Sequence, residues 1–164
     1  MGIRVYLSII MLPFAALAMP APAQAACDIL ALCTCTVSAT GVDFGSYNPV
    51  AVTDNDSSGT VRVRCSLVLA LAGSYTIQLS RGSSPTYAQR TMTSGASTLH
   101  YNLYTSNART QIWGDGTGGS LSVTNTFAAL LGVDQTTTVY GRAPAGQNVA
   151  PGSYADTILV TIVF

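Results

Sequence analysis

Apolar residues recur at every second position in one run after another, and this limits the chain to strands with one buried face. Cys35, Val37 and Ala39 alternate with Thr34, Thr36, Ser38 and Thr40; Val61, Val63 and Cys65 alternate with Arg62, Arg64 and Ser66. Tyr75, Ile77 and Leu79 mark one face of 73–80, and the pattern continues in Leu99 to Tyr104 and Thr136 to Arg142. The longest run is Gly152 to Phe164, with Ile158, Val160, Ile162 and Phe164 on one face and Thr157 and Thr161 on the other. Val42 to Tyr47 reads as a short extended piece closed by Asn48-Pro49, Asp54 to Gly59 as a polar loop, Arg81 to Gly95 as irregular, and the stretch to Ser120 as turns. One short run, Asn125 to Leu131, is compatible with a helix. Seven or so strands separated by turn signals predict an all-β sandwich.

Composition agrees. Only 9% of the 164 residues are charged, against about a quarter in a typical domain. Seven Arg balance seven Asp, and there is no Lys or Glu. A neutral chain has no basic face for nucleic acid, and 48% hydrophobic residues exclude intrinsic disorder. The lack of Lys and Glu beside many Thr, Ser, Val and Tyr disfavours helix.

Residues 1–25 read as a secretory signal. Arg4 supplies the positive start, Val5 to Met19 is almost wholly apolar, Pro20 and Pro22 break any helix, and Ala23-Gln24-Ala25 is a small-x-small site that places cleavage between Ala25 and Ala26. The apolar run contains Pro13 and is shorter than the roughly 20 residues of a membrane span, so no stable membrane insertion is expected. Cleavage leaves one domain, residues 26–164, with six Arg against seven Asp.

Export gives the four cysteines, Cys27, Cys33, Cys35 and Cys65, a disulfide reading with three possible pairings. The strand-like settings of Cys35 and Cys65 favour a bridge between neighbouring strands, leaving Cys27 with Cys33 in a local loop. A zinc site is disfavoured, because Cys33-x-Cys35 lacks the usual two-residue gap and no paired His exists.

Other motifs carry bland readings. Gly114-Asp115-Gly116-Thr117-Gly118-Gly119 contains a formal G-x-G-x-x-G, but Ser120-Leu121-Ser122-Val123 does not start a helix, so a turn is expected rather than a nucleotide site. Asp54-x-Asp56-x-Ser58-Gly59 opens like a calcium loop, yet Cys65 stands where the bidentate Glu belongs, leaving a solvated turn. His100, the single histidine, is expected at the surface, without a G-x-S-x-G to make it catalytic. The Asp residues are scattered, and Trp113 and the tyrosines read as packing before they read as a sugar-binding patch. No enzyme, cofactor or metal is expected.

The final run raises a different possibility. An edge strand as apolar as Gly152–Phe164 is an association hazard unless covered. Four or five exposed large apolar side chains would each forgo about 1.5–3 kcal/mol, a total comparable with a domain's stability of about 5–15 kcal/mol. A flank left open there would take a strand from another chain; the competing reading pairs this strand internally.

The ordered set Cys35-Thr-Val-Ser-Ala-Thr, Phe44-Gly45-Ser46-Tyr47, the Cys65 strand, Tyr101-Asn102-Leu103-Tyr104, Ala108-Arg109-Thr110, Trp113 to Gly119, Val139-Tyr140-Gly141-Arg142 and Pro151-Gly152-Ser153-Tyr154-x-Asp156-Thr157 resembles the spore coat protein U domain family, which includes subunits of archaic chaperone–usher pili. The likeness covers about residues 33–164. It implies an immunoglobulin-like, pilin-type sandwich lacking its last strand, with a groove along Ile158, Val160, Ile162 and Phe164. It further implies a periplasmic chaperone, an outer-membrane usher and neighbouring pilus subunits as partners, passage through the periplasm to the cell surface, and a role in adhesion and biofilm formation. The family pattern also favours the Cys35–Cys65 bridge. One departure is that Ala26 to Leu32 offers seven residues as a donor extension where ten or more are expected. Either the donor is short, or the chain is not an ordinary shaft subunit but a secreted coat protein outside pili or a capping or minor subunit; the alternative of a different class is a surface- or carbohydrate-binding adhesin module.

Overall fold

The computed structural model describes residues 2–10, 23–26, 33–67, 71–129 and 132–164, with side chains over 34–66, 72–128 and 132–164. Among the described residues ten strands follow in chain order: β1 (Gly2–Ile10), β2 (Ala23–Ala26), β3 (Cys33–Thr40), β4 (Asn55–Leu67), β5 (Leu71–Leu79), β6 (Arg90–Ser94), β7 (Ser97–Tyr104), β8 (Val123–Ala129), β9 (Gly132–Ala143) and β10 (Ala155–Val163). Each ladder between these strands is antiparallel.

Two layers result. One runs β2-β3-β4-β9; in the other, β10 carries β1 along one edge and, along the opposite edge, β6 at its start and β5, followed by β8, at its end, and β7 joins the layers. The first half of β7 pairs with β6, and Asn102 to Tyr104 pair with Tyr140 to Arg142 of β9. The inward positions predicted from alternation meet in one core: Cys35, Val37, Val61, Val63 and Val139 from one layer, and Tyr75, Ile77, Leu79, Ile158, Val160 and Ile162 from the other. Most of these side chains have no exposure at all. The layers are also joined by a bond from Tyr75 Oη to Gln135 Oε1 (2.8 Å) and one from Asn125 Nδ2 to Thr137 Oγ1 (2.8 Å).

Four sequence expectations need correction. Asp54–Gly59 is not a loop: Asn55 to Gly59 extend β4 because Val139 to Ala143 offer them a ladder. Arg81–Gly95 contains β6, whose Arg90 is fully buried. The helix-compatible run from Asn125 is strand β8, paired residue for residue with β5. His100 is half-buried rather than superficial, and its Nδ1 is buried without a hydrogen-bond partner among the described residues. Val42 and Phe44 are buried as expected of an extended piece, but they sit in a loop that ends in the turn closed by Ala51 N–H on the Asn48 carbonyl (3.1 Å).

The bridge expected between strands is present. Cys35 and Cys65 are opposite each other in the β3–β4 ladder with S–S at 2.12 Å. The Cys27–Cys33 pair lies outside the described side chains. Gly114–Gly119 forms a turn, with Gly116, Gly118 and Gly119 at φ of 90°, 56° and 80°, a region that glycine enters without steric cost.

Candidate functional site: the two edges of the final strand

β10 alternates as its sequence requires. Asp156, Ile158, Val160 and Ile162 are buried, while Thr157 is exposed and Thr161 half-buried. Of the four residues assigned to the groove, three therefore lie in the core, and Phe164 stands beyond the strand, 39% exposed and tilted against the Tyr75 ring at 6.0 Å.

One edge of β10 is held by the body of the domain. Val160 to Val163 pair with Thr76 to Leu79 of β5, and Ala155 pairs with Thr93 of β6. Between them Ser80 bridges the gap: its N–H donates to the Leu159 carbonyl (2.9 Å), and its Oγ accepts from the Leu159 N–H (2.9 Å).

The other edge carries β1, in unbroken register from Gly2↔Val163 to Ile10↔Ala155. This is the segment that the sequence marks as leader. Among the described residues no other strand lies on that edge. Among the described residues the final strand is thus paired on both sides, and those within 26–164 supply one of the two. The expected cleavage point also lies in a ladder, with Ala25 opposite Cys35 and Ala26 opposite Thr34.

Below this strand is a buried polar lattice that fixes its start. Asp156 is 7% exposed. Its carboxylate accepts from Tyr101 Oη (2.6 Å), Ser83 N–H (3.0 Å) and its neighbour Thr157 N–H (2.9 Å). Burial, with the nearby Asp156 charge, pushes the Tyr101 phenol far above its usual range. Gly82 makes room for the carboxylate: at φ of 66°, a Cβ there would stand 2.0 Å from Asp156 Oδ2.

Arg90 anchors the adjacent side. Its guanidinium donates to Asn102 Oδ1 (2.7 Å), the Trp113 carbonyl (2.7 Å) and the Ser80 carbonyl (2.8 Å), and lies over the Tyr87 ring at 5.2 Å. Burial lowers its pKa, but four donated bonds, counting Nε to Ser80, keep the buried charge satisfied. Asn102 completes the lattice by donating to the Tyr87 and Ala88 carbonyls, and Trp113 Nε1 donates to the Ile77 carbonyl (3.1 Å). Trp113 is wholly buried, so it belongs to packing and not to a surface patch.

At the other end, Asp56 is paired with Arg142 (2.7 Å) and Arg109 (3.3 Å), and Asp54 with Arg142 (3.2 Å). The Arg142 hydrogen bond holds the Asp56 carboxyl below its usual range. The acidic pair that opens like a calcium loop is thus committed to arginines. Among the described residues no group of three or more His, Cys, Asp or Glu could hold a metal ion, and no helix is long and apolar enough to cross a membrane.

Arg90 carries no signal of its role in the sequence, because its neighbours are polar and its burial is set by contacts 10 to 23 residues away. β1 does carry one that the leader reading hides: Ile3, Val5, Leu7 and Ile9 alternate with Arg4, Tyr6 and Ser8.

Comparison with known proteins gives three likenesses. The Spore Coat Protein U domain model matches residues 21–161. Protein U of Myxococcus xanthus is 33% identical over 132 residues, 75% of this chain and 71% of that protein. The AfaE-3 adhesin from Escherichia coli aligns over 100% of this chain and 96% of its own, at 12% identity and a TM-score of 0.42, too remote to inform function.

Proposed function

The chain belongs to the Spore Coat Protein U domain family, and from that premise we propose that it is an exported structural subunit that assembles at the cell surface by accepting a strand along β10. In this reading a signal peptidase removes residues 1–25 between Ala25 and Ala26. A periplasmic chaperone then covers the vacated edge, an outer-membrane usher exchanges the chaperone for a neighbouring subunit, and the polymer serves adhesion and biofilm formation. The protein is a structural component and not an enzyme.

The observation that carries this reading is the pairing of β10. Its inner edge belongs to the domain, and among the described residues its outer edge is filled only by Gly2–Ile10, the segment read as leader. Removing a nine-residue partner leaves a row of unpaired backbone groups beside an apolar strand, which β-strand addition from another chain would satisfy. Within this reading a capping role, accepting a strand without donating one of equal length, is favoured by one detail: Ala26 to Leu32 offers seven residues where the β1 ladder uses nine.

The test is export of the full chain with and without a co-expressed periplasmic chaperone. The proposal expects processed protein to aggregate alone and to become soluble with the chaperone. A processed monomer that melts cooperatively by itself, unaffected by chaperone or strand-forming peptide, would remove it.

A further inference from the structure

We propose that the uncut leader is an intramolecular stopper: while Gly2–Ile10 stays attached, it occupies the edge of β10 on which another chain would add, and the precursor is closed to assembly. The inference rests on reading residues 1–25 as a removable leader and the β10 edge as the assembly edge.

Three observations support it. First, the ladder is continuous over nine residues, and its register sets Ile3, Val5 and Leu7 opposite Ile162, Val160 and Ile158, all three wholly buried, while Ser8 stands opposite the exposed Thr157. Directly opposed residues share a face of the sheet, so the apolar positions of the leader coincide with the core face of β10. Second, the apolar stretch of a secretory leader requires no alternation, yet Gly2–Ile10 has the period-two pattern of a strand, with Ile3, Val5, Leu7 and Ile9 alternating with Arg4, Tyr6 and Ser8. Third, the expected cleavage point is itself in a ladder, with Ala25 and Ala26 paired to Cys35 and Thr34. A peptidase that binds its substrate as an extended strand needs that backbone free, so folding of the precursor protects the leader from removal. Cleavage before folding opens the subunit; folding before cleavage closes it. A tethered strand competes at an effective concentration on the order of millimolar, which a strand from another chain would not match.

The test uses the full chain, refolded from denaturant under oxidising conditions so that no peptidase acts. It is compared with V5D/L7D, which places charge opposite Val160 and Ile158, and with S8D, opposite Thr157. A labelled peptide of the Gly2–Ile10 sequence is the probe. The expected result is that the unsubstituted chain and S8D stay monomeric and exclude the peptide. V5D/L7D should bind the peptide, exchange β10 amides quickly and melt on the order of 10 °C lower. If V5D/L7D does not fold, recovery of folded protein on adding the peptide is the expected result, and V5A/L7A repeats the comparison under milder perturbation. V5D/L7D indistinguishable from S8D in melting and exchange would overturn the inference. Opening of β10 without uptake of peptide or a second copy would uphold the leader contact and overturn the assembly reading instead.

Discussion

Tyr101 donates its phenolic hydrogen to Asp156 Oδ2 at 2.6 Å, and the two side chains are 1% and 7% exposed. This bond ties the hairpin strand β7 to the start of β10. Tyr101→Phe leaves the ring in place and the carboxylate short of a donor, so it should destabilise the domain by about 1–3 kcal/mol, read as a lower denaturant midpoint at unchanged slope.

Gly82→Ala tests the same carboxylate from the other side. The residue sits at φ of 66°, and its added Cβ would meet Asp156 Oδ2 at 2.0 Å. Backbone strain and the displaced carboxylate act together, and a loss of about 2–4 kcal/mol is expected. Gly95→Ala is the control, since Gly95 has φ of 58° with nothing within 4 Å of a Cβ; it should cost only the backbone strain, about 1 kcal/mol.

The Cys35–Cys65 bridge closes a separation of 30 residues. In the chain-entropy model its removal costs about 3–4 kcal/mol. C35A/C65A should therefore melt well below the parent under non-reducing conditions. Reducing agent should lower the parent's melting temperature towards that of the variant.

Stability should fall at both ends of the pH scale. The Tyr87 phenol is pushed up to about 12 by burial and the neighbouring Asp115, and Tyr101 lies higher still. Because these phenols ionise less readily in the fold than in the unfolded chain, stability is constant below the unfolded value of about 10 and is lost as pH rises from there through the folded value. Alkaline unfolding should thus begin above about pH 10, and Tyr101→Phe should weaken its pH dependence. Asp56 and Asp134 are held low by Arg142 and by Arg62. Lowered carboxyl values stabilise above the unfolded pKa, near 4, and that support disappears as pH falls through the folded values. Urea titrations from pH 2 to 12 check both limbs.

Alternation alone makes the core faces legible: Val37, Val63, Ile77, Val139, Ile158 and Val160 all lie inward as their period requires. Residues placed by distant partners are not legible in this way. Asn55 to Gly59 looks like a loop by composition, and it is strand because β9 pairs with it. Arg90 looks like a surface cation, and it is buried because three carbonyl or amide oxygens converge on it. The proposed groove is half legible. The apolar run Ile158 to Ile162 points to it, but an apolar face is buried whether its strand sits at an edge or in mid-sheet. Only pairing tells these apart, and pairing places Gly2–Ile10, the segment read as a leader, on the outer edge.

The most direct test of the account is amide hydrogen exchange over Ala155–Val163 in the exported, leader-free protein, measured alone and with a chaperone or a second subunit bound. If β10 accepts a strand from another chain, its outward-facing amides exchange quickly in the free protein and become protected in the complex. Uniform protection along the strand in the free, leader-free monomer would contradict it.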